Sequence, residues 1–218
     1  MKFFKNIKHL LTKDGIAFVE VPYSPWMVKE KKFDLIYHEH INYFSINSLM
    51  LLCKKNSLYI KKIVFPTYHG KMLRAIISKR KSNYKVEEKC LEYEKNLIQY
   101  KIEFNKYLRR LKKNFLKKIY NIKINPENII VGIGASTKAN TFLNFLELTN
   151  KHINFMTDGS KFKIGKMTPK SFIKIKDDKS LKLIKNKKIY VFFPTWNISN
   201  FLKKKVLLLN KKIKILNV

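Results

Sequence analysis

The stretch that most constrains this chain is Ile129 to Val218, where short apolar runs alternate with segments of helical spacing. Ile129-Ile130-Val131 leads into Gly132-Ile133-Gly134-Ala135-Ser136, Thr137 to Leu148 reads as a helix, and Ile153 to Met156 is a strand ending near Asp158. Strand-like Phe172 to Ile175, helical Ser180 to Ile184, strand-like Ile189 to Phe193, helical Ile198 to Leu209 and strand-like Ile213 to Leu216 follow. Strands that recur with a helix between them are joined by crossovers, which gives a small parallel sheet with helices on its faces. The predicted class is α/β.

Gly132-x-Gly134, between a strand and a helix, forms a turn whose bare N–H groups at a helix start can cradle an anion. It is not a P-loop, because the glycine-lysine pair with its hydroxyl residue is missing, and Thr137 stands where a dinucleotide fingerprint has its third glycine. Asp158 closes the next strand, the place of a ribose-binding acid in a nicotinamide enzyme. Two readings of these residues stay open: a dinucleotide cofactor, and glycines that merely let a helix pack. Gly132, Gly134, Ser136 and Asp158 are candidate binding residues, with Lys138 and Lys163 as candidate partners for a diphosphate or, equally, solvated surface charges.

A second stretch carries acid-base chemistry. Phe33 to Ser45 contains Tyr37-His38-Glu39-His40, so two of the chain's 5 histidines stand beside a phenol and a carboxylate. Imidazole titrates near neutrality, and a neighbouring carboxylate orients the ring and raises its basicity. The alternative is a cluster that caps a helix or satisfies its own hydrogen bonds. Zinc is disfavoured: the two histidines are at i and i+2 where a helical pair needs i and i+4, and neither Cys53 nor Cys90 belongs to a paired motif, so no metal is expected.

Upstream of that stretch, Phe3 to Leu11 has helical spacing and stops at Asp14-Gly15. Ile16 to Val21 is a nearly continuous apolar run ending in Pro22, which predicts a buried parallel strand opening into the loop that leads to Tyr37. Downstream, Ser45 to Cys53 reads as a helix capped by Ser45 or Asn47, and Leu58 to Phe65 and Met72 to Ser78 as a hairpin around Pro66 to Lys71. From Val86 to Phe115 apolar residues recur in steps of four and three, predicting one long helix or a helix pair that connects two domains and ends at Asn125-Pro126.

The formal charge of +32 invites a nucleic-acid reading, yet of 47 basic residues only Arg74, Arg80, Arg109 and Arg110 are arginine, the residue whose planar fork reads phosphate and guanine. Lysine is spread over every segment, so the charge reads as compositional drift with loose nucleic-acid binding at low salt. Two cysteines far apart imply no disulfide framework and a reducing cytoplasm, and the lysine-interrupted N-terminus is neither signal peptide nor membrane span.

DGIAFVEVPY from Asp14, DLIYHEHINYFS from Asp34, YHGKMLR from Tyr68, GIGASTKANTFLN from Gly132, the segment Asp158 to Pro169 and Thr195-Trp196-Asn197 resemble, in this order, the S-adenosylmethionine-dependent C-methyltransferases of nucleotide-linked ketosugars. The resemblance implies the second half of a class I methyltransferase sheet over residues 1–82, a helical connector over 83–125 and a Rossmann-like domain over 126–218. It implies methylation of the carbon next to a ketone, with His40 as general base, Tyr37 on the sugar or enolate oxygen, Glu39 orienting the site and His38 structural. The family's zinc-binding domain and glycine-rich S-adenosylmethionine turn have no counterpart here, which predicts a separate chain supplying them, or a truncated remnant. Two of the family's glycine positions are Lys71 and Lys170, which puts close backbone approach there in doubt. The other readings are a non-catalytic nucleotide-sugar binding module and a basic nucleic-acid binder.

Overall fold

A computed structural model describes residues 2–66, 71–195 and 198–217. The chain forms two compact units, one of residues 1–32 and 38–105 and the other of 33–37 and 106–218. Thr67 to Gly70, and Trp196-Asn197 of the triplet above, lie outside the described residues.

The first unit opens with helix α1 (Lys2–Leu10), which buries Phe4 while Phe3 and Leu10 stay exposed. Strand β1 (Ile16–Pro22) pairs antiparallel with β3 (Met72–Ser78), which pairs antiparallel with β2 (Tyr59–Val64), in the order β1-β3-β2. This corrects the expectation of a buried parallel strand at Ile16 to Val21: β1 is an antiparallel edge strand, and Ile16 and Phe18 are exposed. An apolar run does not state its neighbours, and here the alternation across the pleat leaves one face of β1 in solvent.

Between β1 and β3 the chain forms α2 (Ser24–Lys29), a 3-10 turn at Phe33–Leu35 and α3 (Ile46–Lys55). Ser45 is the N-cap of α3: its Oγ accepts the Ser48 N–H at 3.1 Å, and Ser48 Oγ accepts the Ser45 N–H at 2.9 Å, a reciprocal capping box. Ile46, Leu49 and Cys53 of α3 pack on Val19, Leu73, Ala75 and Ile77 from one sheet face. Burial alone pushes the Cys53 thiol up to about 12, so it behaves as a small apolar side chain.

The predicted long helix is a pair, α4 (Glu88–Lys95) and α5 (Leu97–Lys123). Asn96 separates them without stopping the hydrogen-bond ladder, since its N–H donates to the Glu92 carbonyl at 3.1 Å and its carbonyl accepts from the Tyr100 N–H at 3.0 Å. The side-chain stripe therefore runs on across the joint. Phe115 and Ile119 of α5 belong to the second unit and are fully buried.

That unit holds β4 (Asn128–Ile133), α6 (Thr137–Phe145), β5 (Phe155–Thr157), β6 (Ile175–Lys176), a 3-10 turn at Asp178–Leu183, β7 (Lys188–Phe192), α7 (Ser199–Leu209) and β8 (Lys214–Ile215). Its five-stranded sheet is wholly parallel in the order β6-β5-β4-β7-β8. Successive strands step one way from β4 to β6 and then the other way to β8, so the order reverses at β4. The expected strand Phe172 to Ile175 shrinks to two residues, because Lys170 and Phe172 turn the chain through left-handed conformations, φ 65° and 52°.

One sheet face carries an aromatic cluster: Phe115, Phe142 and Phe192 lie with ring centroids 5.4 to 5.9 Å apart. Gly132 lies under it. A Cβ there would collide with the Met156 sulfur and come within 2.9 Å of the Phe192 ring. The opposite face packs Val131, Ile133, Leu181, Ile189, Val191 and Val206. Short of α6, the loop 33–37 is tied down by Phe33 against Phe145 at 4.8 Å and by the Thr141 hydroxyl donating to the Ile36 carbonyl at 3.3 Å.

Two consequences are measurable by urea unfolding. Gly132→Ala should destabilise the second unit by about 1–3 kcal/mol through overpacking, whereas Lys170→Gly should stabilise it by about 1 kcal/mol by relieving a left-handed lysine. Equal and small effects at both positions would contradict the packing described for Gly132. His152 gives a pH dependence: its Nδ1 accepts the Thr149 N–H at 3.2 Å, and partial burial, with Lys123 and Lys151 nearby, depresses its pKa. A depressed folded-state pKa favours the neutral ring, so its contribution is fully present above the ordinary histidine range and is lost as pH falls through the folded value. The urea midpoint should fall as pH drops below about 6.5, and His152→Gln should flatten that decline.

Candidate functional site

The acid-base stretch sits at the carboxyl end of β1. There the loop returns alongside the strand: Phe44 N–H donates to the Pro22 carbonyl at 3.1 Å and Ser24 N–H donates to the Phe44 carbonyl at 2.9 Å. Tyr23 and Phe44 thus form an isolated parallel bridge. Downstream, the Ser45 cap and the Ile46 N–H donating to Glu94 Oε1 at 2.8 Å fix where α3 begins. The sequence places short polar groups at both ends of the loop, and these pin it.

A groove of about 460 Å³ runs along β1, lined by Val19 to Pro22, by Phe3 and Phe4 of α1, by Met72 and Leu52, and by Glu39 to Asn42 with Phe44. Two of the three candidate catalytic residues, Glu39 and His40, line it. The His40 ring meets Tyr43 edge-on, centroids 6.2 Å apart at 85°. His38 Nε2 is 4.0 Å from Glu39 Oε1, with both side chains largely in solvent, so this ion pair contributes little. Tyr37 belongs to the second unit and is half-buried there. The pattern of residues can take a proton at an apolar wall, with a half-buried imidazole as the group that does so.

Sequence reading did not single out Asp34, which is buried in the 3-10 turn just before the tetrapeptide. Burial, with the Asp34 charge nearby, raises the Tyr107 pKa. Two buried apolar neighbours, Phe33 and Leu35, were the available signal that this acid is held inside.

In the second unit a cavity of about 270 Å³ opens beyond the carboxyl ends of β4, β5 and β7. Ligands in open α/β sheets bind beyond strand carboxyl ends, where the strand order reverses. Gly134, Ser136, Asp158 and Lys163 line this cavity, joined by Gly159, Asp178, Thr195, Leu202 and Lys205. Gly132 and Lys138 are not on its wall: Gly132 is inside β4 under the aromatic cluster, and Lys138 is buried on α6.

Each cavity residue has an identifiable task. Gly134 takes φ 88°, a left-handed turn that lets its N–H donate to the Thr157 carbonyl at 2.8 Å. Ser136 caps α6 through the Ala139 N–H at 3.2 Å and shares a 2.7 Å hydroxyl contact with Thr195. Asp158 accepts the Ala135 N–H at 2.9 Å and Lys163 Nζ at 3.1 Å on one oxygen, and the Ser160 N–H at 2.9 Å on the other. Asp178 accepts Lys205 Nζ at 2.6 Å. Asp178 and Lys205 escaped the sequence reading because they come from a turn and a helix with no motif around them.

The two lysines of the cavity face two carboxylates, so its wall is close to neutral. Hydroxyls and the amino end of α6 are then the groups that offer hydrogen bonds to a ligand. Among the described residues, no group of three or more His, Cys, Asp or Glu is gathered to hold a metal ion, and no helix is long and apolar enough to cross a membrane.

Comparison with known proteins bears on the second unit. Residues 67–213 match the family described as the C-methyltransferase C-terminal domain. The C-methyltransferase NovU of Streptomyces niveus is 28% identical over 177 residues, which cover 78% of this chain and 42% of that protein. The chain thus spans well under half the length of this curated relative. The match takes in β4 to β7 of the parallel sheet and the crevice at their ends, and on it the chain belongs to the C-methyltransferase family through that family's C-terminal domain.

Proposed function

We propose that this chain is the acceptor side of an S-adenosylmethionine-dependent C-methyltransferase that acts on a nucleotide-linked keto-deoxysugar in the cytoplasm. The observation that carries the reading is the placement of Glu39 and His40 on the groove beyond the carboxyl end of β1, in a chain of the C-methyltransferase family. In this reading β1-β3-β2 is the second half of a class I methyltransferase sheet in residues 1–82, residues 83–125 connect, and the parallel sheet of 126–218 is a Rossmann-like domain whose crevice receives the nucleotide diphosphate.

The residues present do not fit the methyl donor. The described glycine of the first unit, Gly15, sits in the turn entering β1, not between a strand and a helix, and a Cβ there would already touch Thr12. In the second unit the cavity acids are held by Lys163 and Lys205 and by backbone N–H groups. No site for the donor is therefore assigned on the described residues.

This chain's own part is proton transfer. His40 takes the proton from the carbon next to the ketone, the electron pair moves onto the carbonyl oxygen as an enolate, and Tyr37 donates a hydrogen bond to that oxygen. Glu39 orients the site. The half-buried His40 ring stands on the groove with apolar Phe44 and Val21, which form part of its wall.

With a complementing donor chain, His40→Asn should abolish exchange of the sugar proton with deuterated solvent and leave acceptor binding nearly unchanged. Removing a positioned base lowers the rate about 10²–10⁴-fold, so a tenfold effect would sink the assignment. His38→Asn is the control: it should spare exchange, and the reverse outcome would exchange the two roles. The charge of +32 yields a separate expectation. Binding to random DNA should weaken steeply as salt rises and show no sequence preference, because scattered lysines contact phosphate and not bases. Tight sequence-dependent binding at physiological salt, read by filter retention, would favour a nucleic-acid function instead.

A further inference from the structure

Helix α4 carries an acid on its inward face. Cys90 and Tyr93 pack with the core of the first unit, and Glu94 follows Cys90 by one turn, so it is half-buried on the same side. A carboxylate there is unfavourable unless hydrogen bonds replace its water, and in the last turn it also opposes the dipole of its own helix. What offsets this comes from elsewhere. The Ile46 N–H donates to Glu94 Oε1 at 2.8 Å, and the Tyr23 hydroxyl hydrogen-bonds to the same carboxylate. Burial, with the Glu94 charge close by, raises the Tyr23 pKa, so the phenol keeps its proton and remains a donor. Its oxygen also lies 3.4 Å from the Cys90 carbonyl, one turn earlier on α4.

These two donors stand at the two ends of one loop. Tyr23 follows the last residue of β1, and Ile46 is the first residue of α3. At α3 the Ser45–Ser48 box satisfies the N–H groups of those two serines and leaves out that of Ile46, which Glu94 takes. The acid that opposes the dipole of α4 meets the positive end of α3. Both Tyr23 and Ile46 are buried, so neither donor has water to fall back on.

We propose that Glu94 is the positioning residue of the loop that bears Glu39 and His40: one carboxylate, 48 residues beyond Ile46, ties the start of the loop to its end and thereby sets where His40 stands on the groove. Its effect on proton transfer rests on the role proposed above for His40, whereas its effect on the order of the loop does not. Glutamine at 94 keeps an acceptor oxygen for one of the donors and turns an amide to the other. Alanine leaves both without an acceptor.

The full chain is compared with Glu94→Ala, Glu94→Gln and Tyr23→Phe, and with Glu92→Ala, an exposed neighbour on α4, as control. Hydrogen-deuterium exchange over residues 38–46 should speed up about tenfold or more in Glu94→Ala, because a bond to a charged acceptor is lost. It should speed up less in Glu94→Gln and in Tyr23→Phe, which keeps the ring packed on Phe65, and not at all in Glu92→Ala. Exchange over 72–78 should stay unchanged in all four. Tyr23→Phe and Glu94→Gln carry the test should Glu94→Ala fail to fold. In the sugar-proton assay Glu94→Ala should lower kcat about tenfold or more with KM within about twofold, Glu94→Gln should recover most of that loss, and Glu94→Ala added to His40→Asn should cost nothing further. Unchanged exchange over 38–46 in the Glu94 variants and in Tyr23→Phe would overturn the inference, as would an equal rise over 72–78, which marks general destabilisation. A loosened loop with kcat retained would also overturn it. If His40→Asn itself spares the sugar proton, the reading of His40 fails, and exchange over 38–46 still decides what Glu94 does.

Discussion

The second unit depends on an absence of side chain at Gly132. The Met156 sulfur and the Phe192 ring fill the space where a Cβ would stand, and Phe142 and Phe115 close over them. This lets β4 lie at the centre of the parallel sheet with α5 and α6 packed tightly on one face. Because β4 is where the strand order reverses, the same packing sets the crevice between the ends of β4, β5 and β7. The first glycine of the pair thus shapes the core, and the second, Gly134, shapes the site. Two residues apart, one glycine lies in the strand and the other in the turn that follows it.

Electrostatics divides the lysines into a few that are committed and many that are not. Lys163, Lys205 and Lys112 each face a carboxylate at 2.6 to 3.1 Å. Lys112 and its hydrogen bond to Glu147 hold that exposed carboxyl below the ordinary range. The buried Asp178 gains most from its partner, since an unpaired charge inside would be strongly unfavourable. Most other lysines stand on exposed surface, on both units, with few acids to meet them. A surface of this kind draws anions from solution without specifying any of them, and specificity has to come from hydroxyls, turns and shape in the crevice.

Local chemistry was legible in the sequence and pairing was not. The Ser45 cap could be read because one serine three residues before another satisfies the first N–H groups of a helix wherever it lies. The strand-helix rhythm after Ile129 was equally readable, since each crossover is short. The apolar run Ile16 to Val21 looked buried and parallel, yet its neighbour is β3, antiparallel and distant in sequence, and its other side is open. Phe172 looked like strand because it is aromatic and precedes Ile173, but the left-handed lysine before it redirects the chain. Of the site, the histidine and acid at 39 and 40 were visible as a motif. Asp178 and Lys205 were not, because a pair 27 residues apart leaves no pattern.

The difference between the two edges of the first sheet ties these points together. Chain drift towards lysine would be expected to fall on both edges alike, and exposed edge positions are where lysine is least harmful and most protective. β2 has followed that course, while β1 keeps isoleucine, alanine, phenylalanine and valine in a row. β3, β4 and β5 are likewise without lysine, and each has a strand on both sides, where a charged side chain would be costly to bury. The same strand leads to the loop of Glu39 and His40, so an apolar strand and a short polar run share the walls of one groove.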